Sequence, residues 1–182
     1  TNYLLHNGPS PLKMIKEGIE ELKALGVKKY VIPCNTSHAF INLLPKFNDM
    51  ELINMVEETK SYINKHFNKQ MCILATDGTV RTKVYGDYTE NVIYPDSLHQ
   101  EKIMEIIYAI KRSNKSIDNC RGEFLNIIKE IHCKNNNIVF IIACTELSLL
   151  MNDYENKDII CVDAMDVVAV QAILKSGYRV RK

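Results

Sequence analysis

Two cysteines of this sequence stand in similar surroundings, and both surroundings suit a reactive thiol. Cys34 follows the apolar run 30–32 and a proline, and it precedes Asn, Thr and a new apolar stretch. Cys144 follows the apolar run 138–143 and precedes Thr and Glu, again before apolar residues. A thiol between a strand end and a helix start lies near unpaired backbone N–H groups, which favour the thiolate.

Two thiols that face one cleft suit the inversion of an acidic carbon centre. A thiolate removes the proton from one face, and the other thiol supplies a proton to the opposite face, so no organic cofactor is needed. N–H donors at helix starts and neighbouring polar side chains would stabilise the developing carbanion. The polar side chains that fit this role are Asn35, Thr36, Thr79 and Thr145.

Short apolar runs alternate with stretches of helical spacing along the whole chain. This alternation predicts parallel β–α units with both faces of the sheet covered by helices. The predicted strands are 30–32, 52–55, 70–75, 92–94, 138–143 and 159–162. Ligands bind such sheets at the carboxyl ends of the strands, where both cysteines lie.

Capping residues predict where several helices begin and end. Gly26 is expected to end the first helix as its C′ residue. A helix is expected to run from the turn at Cys34 to Pro45. Ser97 and Asp118 are the predicted N-caps of two long helices later in the chain.

Composition excludes several function classes. The 182 residues are 46% hydrophobic and 25% charged, which is ordinary for a globular protein. The net charge of +1 gives no electrostatic case for a nucleic acid or a membrane surface as partner. No signal peptide is visible, so we expect a cytoplasmic protein whose six cysteines are reduced. The absence of a C-x-x-C pair argues against a structural metal, and the absence of a Gly-rich phosphate loop argues against a nucleotide cofactor.

Three motifs together resemble the signatures of the aspartate/glutamate racemase family, in order and in spacing. They are Pro33-Cys34-Asn35-Thr36-Ser37-His38, Ala75-Thr76-Asp77-Gly78-Thr79-Val80 and Ala143-Cys144-Thr145-Glu146-Leu147. The resemblance covers nearly all of the chain. It implies racemisation of an acidic amino acid, aspartate before glutamate, without a cofactor or metal. It also implies a homodimer.

The resemblance assigns roles to individual residues. Cys34 and Cys144 would be the two catalytic thiols. Lys111 resembles the family lysine that holds a substrate carboxylate, and a Glu at position 146 resembles the aspartate racemase branch. The residues that the resemblance assigns to substrate binding are Asn35, Thr36, Thr76, Thr79, Lys111, Thr145 and Glu146.

The family fold consists of two similar α/β domains with the active site in the cleft between them. We expect residues 1–53 together with 161–182 to form the first domain, and residues 54–160 to form the second. The family's first strand, its glycine-rich turn and a carboxylate-binding arginine would lie before Thr1. The first domain is therefore expected to lack its N-terminal strand in this sequence.

Other readings of the same residues stay open at this level. Both cysteines could be buried apolar residues without chemistry. His38 lies one helical turn after Cys34, so the pair could form a thiol hydrolase or transferase, although a purely structural histidine is favoured. Without the missing segment, the chain could also bind an acidic amino acid without turning it over. Lys111 and Glu146 could be ordinary helix-end residues.

Overall fold

The chain folds into two parallel sheets flanked by helices. The computed structural model describes residues 3–4, 8–87, 91–152, 154 and 156–180. The elements are α1 (Leu12–Ala24), β1 (Lys29–Val31), a 3-10 helix (Asn35–Leu43), β2 (Glu51–Ile53), α2 (Met55–His66), β3 (Gln70–Leu74), α3 (Asp77–Thr82), β4 (Val92–Ile93), α4 (Ser97–Arg112), α5 (Ile117–Lys134), β5 (Ile138–Ile142), α6 (Thr145–Ser148), β6 (Ile160–Asp163) and α7 (Ala164–Lys175).

The smaller sheet pairs β1 with β2, and the larger sheet has the strand order β4-β3-β5-β6. Every strand pair is parallel. All five residues of β5 are buried, as expected for a strand covered on both faces. Because parallel strands end at the same edge of a sheet, the turns after β3 and β5 lie side by side. The α/β architecture predicted from the sequence is confirmed.

Helix α7 connects the two sheets. It packs against β1 and β2 of the smaller sheet and against α2, which borders the larger one. Their shared core contains Ile53, Met55, Ala164 and Val168. The predicted domain boundary between residues 160 and 161 falls within β6, whose residues pair with β5. The division of the chain into 1–53 with 161–182 and 54–160 stays a prediction.

Several predicted element ends are wrong by a few residues. The strand expected over 52–55 ends at Ile53, because the Asn54 side chain accepts hydrogen bonds from the next turn and starts α2. Asp96 and Ser116 cap α4 and α5, in place of the predicted Ser97 and Asp118. The predicted helix after Cys34 is a 3-10 helix that ends at Leu43.

The end of α1 is as predicted. Gly26 has φ +77°, which is the left-handed conformation expected of a C′ glycine. Among the described residues, no helix is both long and apolar enough to cross a bilayer. The same residues contain no group of three or more His, Cys, Asp or Glu side chains placed to hold a metal ion.

Candidate active site

A cavity of about 230 Å³ opens where the strand ends of the two sheets approach each other. Its lining residues are Pro11, Cys34, Asn35, Thr36, Ser37, Phe40, Thr76, Lys111, Ala143, Cys144, Thr145 and Glu146. Every predicted site residue except Thr79 is among them. Pockets for drug-sized ligands are about 300–1,000 Å³, so this cavity suits a molecule the size of an amino acid.

The two cysteines occupy equivalent positions in the backbone. Cys34 stands at the N-cap position of the 3-10 helix that follows β1, and Cys144 stands at the N-cap position of α6, which follows β5. Their dihedral angles are nearly the same, with φ −154° and ψ 109° at Cys34 and φ −151° and ψ 129° at Cys144. Their exposure differs, because Cys34 is exposed and Cys144 is only 7% exposed. The two cysteines therefore have nearly the same backbone conformation, but their thiols differ in exposure to solvent.

The Cys144 thiol is held in its protonated form. Burial raises its pKa to about 12, and the adjacent Glu146 carboxylate contributes to this rise. The Sγ of Cys144 donates a hydrogen bond of 3.0 Å to Glu146 Oε2. The helix start at α6 therefore does not make this cysteine a thiolate. At neutral pH Cys144 carries a proton that it can donate.

Glu146 is charged and lies between the thiol and a lysine. Burial opposes ionisation, but hydrogen bonds from Cys144 and its own backbone and the charge of Lys111 outweigh it and lower the pKa. Lys111 Nζ lies 3.3 Å from Glu146 Oε1. The hydroxyl of Thr145 donates to the other carboxylate oxygen at 3.3 Å. In the free protein, Lys111 therefore already has a carboxylate partner.

Three threonine hydroxyls join the turn after β1 to the turn after β3. Thr36 Oγ1 lies 2.9 Å from Thr76 Oγ1 and 2.7 Å from Thr79 Oγ1. Thr79 is fully buried and does not line the cavity. Its hydroxyl contacts the other two threonines, so its position suits support of the site better than substrate contact.

Asn35 has a partner that the sequence analysis did not identify. The hydroxyl of Tyr85 donates a hydrogen bond of 2.6 Å to Asn35 Oδ1. Fifty residues separate the two, and no motif or periodicity connects them. The sequence analysis also missed four lining residues whose types carry no acid–base signal: Pro11, Ser37, Phe40 and Ala143.

His38 is held by the backbone on both sides of its ring. Its Nδ1 lies 2.9 Å from the Cys34 carbonyl oxygen, and its Nε2 accepts from Met55 N–H at 3.2 Å. This pattern requires the neutral imidazole with its proton on Nδ1, and burial lowers the pKa of the ring accordingly. Since neither nitrogen is left for a thiol, a hydrolase built on Cys34 and His38 would lack its base.

Cys34 and Cys144 are expected to differ in their rates of thiol labelling. With iodoacetamide at neutral pH, Cys34 should react, while Cys144 should react far more slowly because it is buried and protonated. Glu146→Gln removes the adjacent negative charge, and it should speed labelling of Cys144 by roughly tenfold. Mass spectrometry of tryptic peptides measures both rates, and the exposed Cys133 serves as the reference thiol. Equal labelling of Cys144 and Cys133 would contradict this account.

Comparisons with known proteins agree with this arrangement of sheets and helices. RacX of Bacillus subtilis (strain 168), a broad specificity amino-acid racemase, is 26% identical over 165 residues, which are 88% of this chain and 70% of RacX. The structure of Picrophilus torridus aspartate racemase is 26% identical and superposes with a TM-score of 0.82, covering 100% of this chain and 76% of that one.

A second solved structure shares the fold at lower identity. PH1733 from Pyrococcus horikoshii OT3, an aspartate racemase homologue, superposes with a TM-score of 0.75 at 15% identity, covering 97% of this chain and 80% of that one. The sequence profile of Asp/Glu/Hydantoin racemase matches residues 6–172, which include every residue discussed above at the cavity. The chain therefore belongs to the Asp/Glu/Hydantoin racemase family.

Proposed function

We propose that this protein racemises an acidic amino acid, aspartate before glutamate, without an organic cofactor. The observation that carries the proposal is the pair of cysteines at equivalent strand ends, both lining one cavity of amino-acid size. Family membership supports amino-acid racemisation in general. The choice of aspartate follows the aspartate racemase from Picrophilus torridus.

The proposed reaction moves one proton off the substrate and one proton onto it. The Cys34 thiolate takes the α-proton, and the electron pair of the broken C–H bond passes into the substrate carboxylate. Cys144 then gives its proton to the opposite face of the α-carbon. The product has inverted configuration, Cys34 is left as a thiol and Cys144 as a thiolate. The reverse reaction returns both thiols to their starting states.

The surrounding polar groups would stabilise the charge that develops on the carboxylate. Asn35, Thr36, Thr76 and Thr145 line the cavity beside the thiols. Donors fixed in place before the reaction act most strongly in a small, largely buried site. Lys111 would bind the side-chain carboxylate of the substrate after leaving Glu146. The homodimer implied by the resemblance and the cytoplasmic location expected from the sequence analysis both stay predictions.

Deuterium exchange tests the proposed function directly. L-aspartate, D-aspartate, L-glutamate and L-asparagine are each incubated with the protein in deuterated water. Loss of the α-proton is followed by NMR, and chiral chromatography gives the enantiomer ratio. We expect exchange with inversion of aspartate, and no inhibition by aminooxyacetate, which captures pyridoxal phosphate. The Cys34→Ser/Cys144→Ser double variant controls for a contaminating racemase. Binding measured by calorimetry without exchange would instead indicate an amino-acid-binding protein.

A further inference from the structure

Tyr85 is a fully buried side chain with a polar end near the cavity. It follows α3 in a tight turn, where Lys83 has φ +51°. Its exposure is 1%, and its ring belongs to the core beneath the larger sheet, together with Val56, Ile73 and Val92. A tyrosine buried this deeply needs a hydrogen-bond partner for its hydroxyl.

The partner is Asn35, which lines the cavity. The Tyr85 hydroxyl donates to Asn35 Oδ1 at 2.6 Å, which joins the segment after α3 to the start of the 3-10 helix after β1. Burial strongly raises the pKa of the phenol, so that it keeps its proton and remains a donor. The direction of the bond fixes which end of the Asn35 amide faces Tyr85.

The hydrogen bond from Tyr85 leaves the amide nitrogen of Asn35 available to a ligand. With one lone pair of Oδ1 engaged by Tyr85, the carboxamide still has its two N–H donors for other groups. Among the described residues, no hydrogen bond is formed by Asn35 Nδ2, although the side chain is only 3% exposed and lines the cavity. A donor held in this way fits an acceptor oxygen of a bound ligand.

We propose that Tyr85 is a positioning residue, which turns the Asn35 amide so that its N–H groups meet a carboxylate oxygen of the substrate. This inference rests on the proposed racemisation and goes further, because Tyr85 does not line the cavity. The amide of Asn35 would then bind most strongly when negative charge moves onto that carboxylate. Loss of the Tyr85 hydroxyl should therefore lower kcat more than it changes KM.

A double-mutant cycle tests whether Tyr85 affects catalysis through Asn35. Tyr85→Phe should lower kcat about tenfold with KM changed less than about twofold. In the Asn35→Ala background, the same substitution should have less than about a twofold effect, because no amide is left to position. Tyr94→Phe is the control, since this substitution also removes a tyrosine hydroxyl and its hydrogen bond of 2.6 Å, here to the Gly86 carbonyl. It should leave kcat near that of the unmodified protein. Equal effects of Tyr85→Phe in both backgrounds would overturn the proposal.

A second measurement does not depend on activity. NMR relaxation of the Asn35 side-chain amide in the ¹⁵N-labelled protein should show an ordered group, and Tyr85→Phe should make that group mobile. An unchanged order parameter would overturn the positioning role, even if racemisation is found. If the unmodified protein exchanges no substrate proton, the proposed function fails, and this measurement still decides whether Tyr85 holds Asn35.

Discussion

Cys34→Ser and Cys144→Ser are each expected to lower the rate of racemisation by at least about 10³-fold. Serine is nearly the same size as cysteine, but at neutral pH its hydroxyl is a far weaker acid, and no alkoxide is available as base. Positioned acid–base groups contribute about 10²–10⁴-fold each, and the proposed inversion needs two of them. Circular dichroism of aspartate, followed over time, measures the racemisation rate in both directions.

The residual chemistry of the two variants should be complementary. Each variant keeps one thiol on one face of the substrate, so it should exchange the α-proton of one enantiomer slowly and without inversion. The favoured enantiomer should differ between the two variants. Cys133→Ser is the matched control, because Cys133 is exposed on α5 and does not line the cavity. Racemisation at the unmodified rate in either single variant would exclude the two-thiol mechanism.

The strands of the larger sheet were predictable because their signal is local. β5 and the last four residues of β3 are continuous apolar runs, and a strand buried on both faces requires such a run. The approach of Cys34 and Cys144 could also be expected, since each follows the end of a predicted parallel strand. This prediction needed only the rule that ligands bind at the carboxyl edge of the sheet.

Helix starts were less predictable because neighbouring residues compete to cap them. Asp96 and Ser97 can both accept a hydrogen bond from the first turn, as can Ser116 and Asp118. The structure selects the earlier residue in both cases, with Asp96 accepting from the backbone N–H of His99. Residue types alone do not decide between such neighbours, because the choice depends on where the preceding chain enters the helix.

The chemical asymmetry of the site could not be read from the motifs. Both cysteines precede polar residues and a helix start, and on that basis both would favour the thiolate. At Cys144, burial raises the pKa of the thiol. The Glu146 carboxylate adds to this rise, because it accepts a hydrogen bond from the thiol and its charge opposes ionisation. The contact between Tyr85 and Asn35 is equally invisible, since it depends on how the two sheets are placed.

Lys111 is expected to determine the preference for an acidic side chain. Among the described residues that line the cavity, it is the only Lys or Arg. Its side chain is 45% exposed and can leave Glu146 without crossing the core. Lys111→Met should lower kcat/KM for aspartate by roughly 10²-fold, mainly through KM, since one charge-assisted hydrogen bond contributes about 1.5–3 kcal/mol.

The matched comparison uses asparagine, which has nearly the same shape as aspartate but no side-chain charge. Lys111→Met should narrow the difference in kcat/KM between the two amino acids, whereas Lys102→Met should not, because Lys102 lies on α4 away from the cavity. Added salt should raise KM for aspartate in the unmodified protein more than in Lys111→Met, since screening weakens the partly exposed charge pair. If Lys111→Met lowers turnover of both amino acids equally, Lys111 does not recognise the side chain of the substrate. Its role would then be to hold Glu146 beside Cys144.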